Sequence, residues 1–417
     1  MRREGVNAAP LMKISAFDPL RPAQDKAKQV ASLPYDVVST EEARRLAKGN
    51  PDSFLHVERS EIDLPPNTDP YAPVVYEKAV SNLKDMVSRG SLIRHGHQSL
   101  FVYRQKMGAH VQEGIVCCCH VDDYDGDRIK KHEKTRQDKE DDRSRHALAL
   151  RTHASPVFLA YRDDAHLDAM VREIVAREPL YDFASEDYVQ HTIWEAPDPK
   201  KLQRALSVVP LAYVADGHHR CASASRAAAA CRAENPGHTG EEEYNWFLAT
   251  MFPASRLQIL PYNRLVADLN GHSVEQFLDR VSESFNLLDG IDPSPRERGH
   301  FAMYLDGGWR GLIVKNPPDS THPIDSLDVS ILQDRLLAPI LGIADPRSSK
   351  RIDFVGGIRG TDALKKAVDA GEAAVAFSLY PTTMDQLLAI ADAGEIMPPK
   401  STWFEPKLRS GLLIHSF

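Results

Sequence analysis

Apolar and polar positions alternate in short blocks along this chain of 417 residues, and the blocks predict strands and helices in mixed order. Apolar segments cover 11–17 and 29–38, the second closing on Leu33-Pro-Tyr-Asp-Val-Val-Ser-Thr40. A serine or threonine there caps a helix to Lys48, with acids in its first turn and Gly49-Asn-Pro stopping it. Phe54-Leu-His-Val57 reads as a strand, 60–73 as a loop rich in Pro, Asp and Asn, and 71–89 as an amphipathic helix presenting Val75, Ala79 and Leu83. Ser99-Leu-Phe-Val-Tyr-Arg104 and Gly114-Ile-Val-Cys-Cys-Cys-His-Val121 then form an antiparallel hairpin around Gly108. Consecutive strand residues face opposite ways, so the three cysteines read as core and not as ligands of one ion.

Further on, 155–161, 186–196, 211–215, 244–252 and 257–264 carry strand patterns, and 165–176 a helical one. A helix is expected over 272–288, a hairpin from 301–305 and 309–314, and a helix over 327–341. Strands at 351–357 and 373–380, a helix capped by Thr382 or Thr383, and a short strand at 411–415 complete the pattern. There are no repeats and no low-complexity tract.

Composition narrows the function classes. At 42% hydrophobic and 26% charged the chain is an ordinary globular protein without a membrane-spanning run. Its opening Met1-Arg-Arg-Glu lacks the apolar core of a signal peptide, and its five cysteines suit a reducing compartment, so a cytoplasmic location is expected. A net charge of −8 argues against non-specific nucleic-acid binding.

Two stretches carry the candidate chemistry. From Asp122 to Arg145 nearly every residue is charged, with both signs mixed. It reads either as a solvated helix with ion pairs among Lys130, Glu133, Lys134 and Asp138, or as a polar wall presenting Lys130, His132, Arg136, Lys139 and Arg143. The other is the turn Asp216-Gly-His-His-Arg220, between the apolar 211–215 run and the helix formers from Ala222. A strand breaking at glycine into a helix points free N–H groups at one spot, and Arg220 adds a fork of donors, so Asp216, Gly217, His218, His219 and Arg220 read as a phosphate cradle. It is neither a P-loop nor a dinucleotide fingerprint. Adjacent histidines project apart with no cysteine or histidine at ligand spacing, so no zinc site is expected. Further donors for an anionic, polyphosphate-like ligand are Arg359 after Gly356-Gly357, Lys400, Ser401 and Thr402, and Lys407.

The motifs Leu33-Pro-Tyr-Asp-Val-Val-Ser39, Ser53-Phe-Leu-His-Val57, His132-Glu-Lys-Thr-Arg136, Lys139-Glu-Asp-Asp-Arg143, Asp216-Gly-His-His-Arg220, Pro261-Tyr-Asn-Arg264, Asp353-Phe-Val-Gly-Gly357 and Met397-Pro-Pro-Lys-Ser-Thr-Trp-Phe-Glu-Pro-Lys407 together carry a resemblance. Over nearly its whole length the chain resembles domain-of-unknown-function family 1015, related to the ParB/sulfiredoxin-like fold and its free-serine kinases. The resemblance implies an α+β (mixed α/β) protein: a ParB/sulfiredoxin-like catalytic core over 1–264, a small α+β lobe over 265–320, and a 321–417 segment completing core and pocket.

It further implies a phosphotransferase making O-phosphoserine from free L-serine, with pyrophosphate, ADP or ATP as donor and Mg²⁺ as cofactor. By that likeness the 216–220 turn holds the donor phosphates and Asp216 is a candidate Mg²⁺ contact. His132, Thr135, Arg136, Lys139 and Arg143 join the binding set. Asp36, just after Pro34-Tyr35, matches the base that accepts the serine proton, where the smaller kinases carry glutamate; Glu133 is the alternative base. No nucleic acid or membrane partner is expected, and a homodimer is allowed for. Two other readings stand beside this one: a ParB-like nucleotide-sensing module, which would need a basic helix-turn-helix that the sequence lacks, and a phosphate-binding regulatory protein without turnover.

Overall fold

The computed structural model describes residues 11–318 and 322–417. The Met1-Arg-Arg-Glu segment, and 319–321 at the boundary drawn between lobe and C-terminal segment, lie outside the described residues. The chain divides into two units, one comprising residues up to 257 with 406–417, the other 258–405. Both mix helices and sheets, so the fold is α+β.

The first unit is built on a nine-stranded sheet. Its order is Ile129–Lys130, Ala212–Asp216, Val157–Tyr161, Trp246–Pro253, His110–His120, Phe101–Met107, Gln190–Glu195 and Tyr181–Ala184, with Ile14–Ser15 added on His110–His120. Ala212–Asp216 runs parallel to Ile129–Lys130, and Trp246–Pro253 to Val157–Tyr161; the other neighbours are antiparallel. The 101–120 hairpin forms as its alternation requires, turning at Gly108. Cys117 and Cys119 share one face, 3.9 Å apart, inside a core with Leu159, Val214, Leu167 and Ala224. Burying these apolar surfaces is the main favourable term in folding. Close packing explains Gly114: a Cβ there would sit 2.7 Å from the Phe252 ring.

Several elements depart from the pattern. Phe54-Leu-His-Val57 is not a strand; Leu55–Glu58 is a helical turn, and Phe54 and Val57, three positions apart, bury together in one core cluster. The 122–145 stretch is not one helix. It forms Val121–Asp125, the short strand Ile129–Lys130, a loop, and a helix only over Gln137–Leu150. The break is imposed by Asp123, whose carboxylate accepts from the Lys13 N–H at 2.6 Å and Arg128 Nε at 3.0 Å. The helix expected over 272–288 stops at Ser284, and Phe285–Asp289 becomes a strand against Gly308–Val314.

The second unit contains a six-stranded antiparallel sheet in the order Phe285–Asp289, Gly308–Val314, His300–Leu305, Val375–Leu379, Tyr262–Val266, Ile352–Gly356. Because Val375–Leu379 lies between strands from either side of 300, the lobe drawn at 265–320 is part of a larger body. Of the 321–417 segment, only 406–417 belongs to the first unit. At the ends of the second unit Gln258–Leu260 pairs with Trp403–Glu405.

Candidate active site

The turn after Ala212–Asp216 is shaped by its backbone. The strand register slips between Val214 and Asp216, and Gly217 takes φ +96°, a left-handed conformation that glycine adopts without strain. The helix His218–Glu234 starts there without a side-chain cap. The Arg220 N–H already donates to the Gly217 carbonyl at 2.9 Å, which leaves the His218 and His219 N–H groups without a helical acceptor at the positive end of the helix dipole.

Arg220 is buried and fixed from two sides. Nη1 donates to the Pro156 carbonyl at 3.0 Å, while Nη2 donates to the Asp36 oxygens at 3.0 and 3.3 Å, joining residues 184 positions apart. Tyr35 lies beside it, its ring 5.8 Å from Arg220 and 4.1 Å from the Arg143 guanidinium. Arg143 in turn pairs with Asp142 at 2.8 Å and Glu58 at 3.4 Å. Ser155 donates to Glu58 at 2.7 Å and Tyr76 to Asp142 at 2.8 Å. Burial alone would lower the pKa of both arginines; the carboxylates reverse this, and both stay charged above their ordinary range. Burial, with Asp36 adding, pushes the Tyr35 phenol up, so it remains a neutral donor.

On the other side of the turn Lys407 Nζ lies 3.3 Å from Asp216. Burial would raise the Asp216 pKa, but Lys407 and Arg220 overcome it and hold the carboxylate ionised. His218 packs edge to face on His132, ring centroids 4.5 Å apart. Burial depresses both rings, His218 to about 4 and His132 well below its ordinary value, so both are neutral at neutral pH. His132 Nδ1, His132 Nε2 and His218 Nε2 are all buried without a hydrogen-bond partner. His219 Nε2 accepts from the Arg136 N–H at 3.1 Å.

Of the residues singled out in the sequence, the first unit therefore gathers Asp36, His132, Glu133, Asp216, Gly217, His218, His219, Arg220 and Lys407 about one turn. The charged stretch is less convergent. Thr135 bonds Glu140, Arg136 pairs with Asp138, Lys130 with Asp127, and Lys139 donates to Tyr71. Arg143 is drawn into the network behind Tyr35. Arg359, Lys400, Ser401 and Thr402 belong to the second unit. There Lys400 lies over the Tyr262 ring at 5.4 Å and Ser401 is buried, donating to the Pro398 carbonyl. Sequence reasoning missed Tyr35, Glu58, Asp142 and Ser155. Tyr35 and Asp142 stood inside quoted motifs and Glu58 directly after one.

These elements define an α+β protein with a densely charged, largely buried turn at a helix start. A family model described as "Protein of unknown function (DUF1015)" matches residues 14–330, and the chain belongs to that family. No curated protein matches. Among solved structures, a free serine kinase in complex with AMP is 12% identical with a TM-score of 0.34, covering 72% of this chain and 91% of that one. SbnI with C-terminal truncation from Staphylococcus aureus is 11% identical with a TM-score of 0.39, covering 72% and 87%. A conserved hypothetical protein from Pyrococcus furiosus is 13% identical with a TM-score of 0.34, covering 72% and 94%. At these scores nothing about activity transfers from them.

Proposed function

We propose that this protein is a small-molecule kinase moving a phosphoryl group from pyrophosphate, or from ADP or ATP, to the hydroxyl of free L-serine. The observation that carries the reading is the Asp36–Arg220 pair, which brings a solvent-accessible carboxylate to a helix start rich in N–H donors. In the proposed step the serine Oγ forms a bond to the terminal phosphorus and the bond to the departing phosphate or nucleotide breaks. The hydroxyl proton passes to Asp36. Arg220, Lys407 and the first-turn N–H groups would hold the charge gathering on the donor oxygens. Asp36 would also orient the acceptor hydroxyl, with Arg220 fixing the carboxylate's position.

Mg²⁺ prefers oxygen ligands, usually one or two carboxylates plus substrate phosphates. The donor set fits: Asp216 offers a carboxylate kept ionised inside the turn and would hold the ion. When bound it would neutralise charge on the donor phosphates.

Phosphorus NMR of the protein with serine, Mg²⁺ and each donor in turn tests the reading. A new phosphomonoester signal that requires serine is expected, and Asp36→Asn should lower kcat by about 10²–10⁴-fold while the fold persists by circular dichroism. No phosphoserine with any of the three donors would overturn it. A second reading, a phosphate-binding regulator without turnover, draws on the same pair, because both Asp36 oxygens face Arg220. Donor binding by calorimetry with no product identifies that case.

A further inference from the structure

We propose that His132, Glu133 and His218 form a binding site for a divalent ion of the zinc class, separate in chemistry from any phosphate-borne Mg²⁺. One donor atom from each of the three lies within 4.8 Å of the other two. Zinc–ligand bonds of about 2.0 Å in a tetrahedron set donors about 3.3 Å apart, so modest side-chain rotation closes the set on an ion. Two histidines and a glutamate are an established zinc donor combination that leaves a fourth position for water or a phosphate oxygen. Nitrogen donors select such an ion over Mg²⁺.

An independent observation points to a ligand here. His132 is 1% exposed and His218 5%, and His132 Nδ1, His132 Nε2 and His218 Nε2 are all buried without a partner. Buried polar atoms are nearly always satisfied, and unsatisfied ones are expensive. An ion taking one nitrogen from each ring removes that cost in part. Charge argues in the same direction. Asp36, Glu133 and Asp216 set against Arg220 and Lys407 give the turn three negative and two positive side chains beside the helix dipole, a balance that a bound dication would tip toward an anion. A dication reverses the sign. Only this charge argument leans on the phosphate reading; the binding of the ion does not.

The other His/Glu cluster among the described residues, His95, His97 and Glu195, makes a useful contrast. His95 Nδ1 accepts from Arg21 Nε at 2.9 Å, so a neutral ring carries its proton on Nε2, the atom facing Glu195. Glu195 is also taken by His97 at 2.6 Å. There the Glu195 carboxylate is already held by His97 and one His95 nitrogen by Arg21, although His95 Nε2, 3.2 Å from Glu195, makes no hydrogen bond.

The test uses the full chain, stripped with chelator and titrated with Zn²⁺ by calorimetry and with Co²⁺ by visible absorption, with no phosphate or serine present. About one equivalent per chain is expected, with the intense visible bands of a four-coordinate cobalt centre. His132→Ala and His218→Asn should each weaken affinity at least about tenfold, as should Glu133→Gln, whose carboxylate is more exposed and whose loss spares the core. His97→Ala should change nothing. Less than half an equivalent bound would overturn the proposal. So would Co²⁺ spectra unchanged by Glu133→Gln and His218→Asn, or loss of the ion with His97→Ala. Because no donor or acceptor is present, a failure here is distinct from a failure of the kinase reading.

Discussion

Gly217 is where a single side chain would do most damage. Its φ of +96° lies where L residues are strained, and a Cβ would also come within 3.4 Å of Arg220 Cδ. Gly217→Ala should cost about 1–2 kcal/mol in urea unfolding and displace the start of the helix that carries Arg220. An unchanged midpoint would show that the backbone relaxes freely. His218 supplies a pH dependence. Burial lowers its pKa from the ordinary 6.5 to about 4, and His132 shifts the same way. The unfolded chain binds a proton that the native ring refuses, so this contribution is complete above about pH 6.5 and lost as the pH falls toward 4. For His218 the loss is on the order of 3 kcal/mol. In chelator, His218→Asn should unfold with a flatter dependence across that window; the same slope as the parent would refute the assignment.

Element boundaries divide into those that local chemistry decides and those that distant contacts decide. Ser39 accepts from the Glu42 N–H at 3.2 Å while Glu42 accepts from the Ser39 N–H at 2.9 Å, a reciprocal cap that is legible as Ser-Thr-Glu-Glu in the sequence. Ser39→Ala should cost about 1 kcal/mol by thermal unfolding and Ser39→Asp very little; equal losses would mean the cap is not what holds Thr40–Ala47. Thr383 caps Met384–Asp392 in the same way. By contrast Phe54-Leu-His-Val57 is too short for either period to show, and its burial alongside Ala79 and Leu83 decides for a helical turn. The 122–145 stretch was illegible for another reason. Mixed charge reports solvation, whereas the break depends on Asp123 receiving the Lys13 N–H from 110 positions away.

At the scale of the molecule, the strand–glycine–helix turn could be read because its parts follow one another in the chain. Asp36 was singled out through family likeness alone, and its pairing with Arg220 is a product of folding. Glu58 and Ser155 were not legible, since each is a common polar residue whose meaning arises from buried partners far along the chain, and Asp142, inside a quoted motif, is bound by Tyr76 from 66 positions away. The second unit's extent was missed because Val375–Leu379 enters its sheet from beyond the apparent lobe. Its own boundaries have a consequence for how the protein can be cut. Gln258 stands directly opposite Glu405 across the two-stranded pair, so this body is entered and left through one doorway. Chain that departs and returns at a single point behaves as a guest: a few glycines and serines bridging 257 to 406 close the host. The bridged host and the excised 258–405 guest should then each melt cooperatively in calorimetry, and aggregation of both would mean that neither reaches its fold without the other.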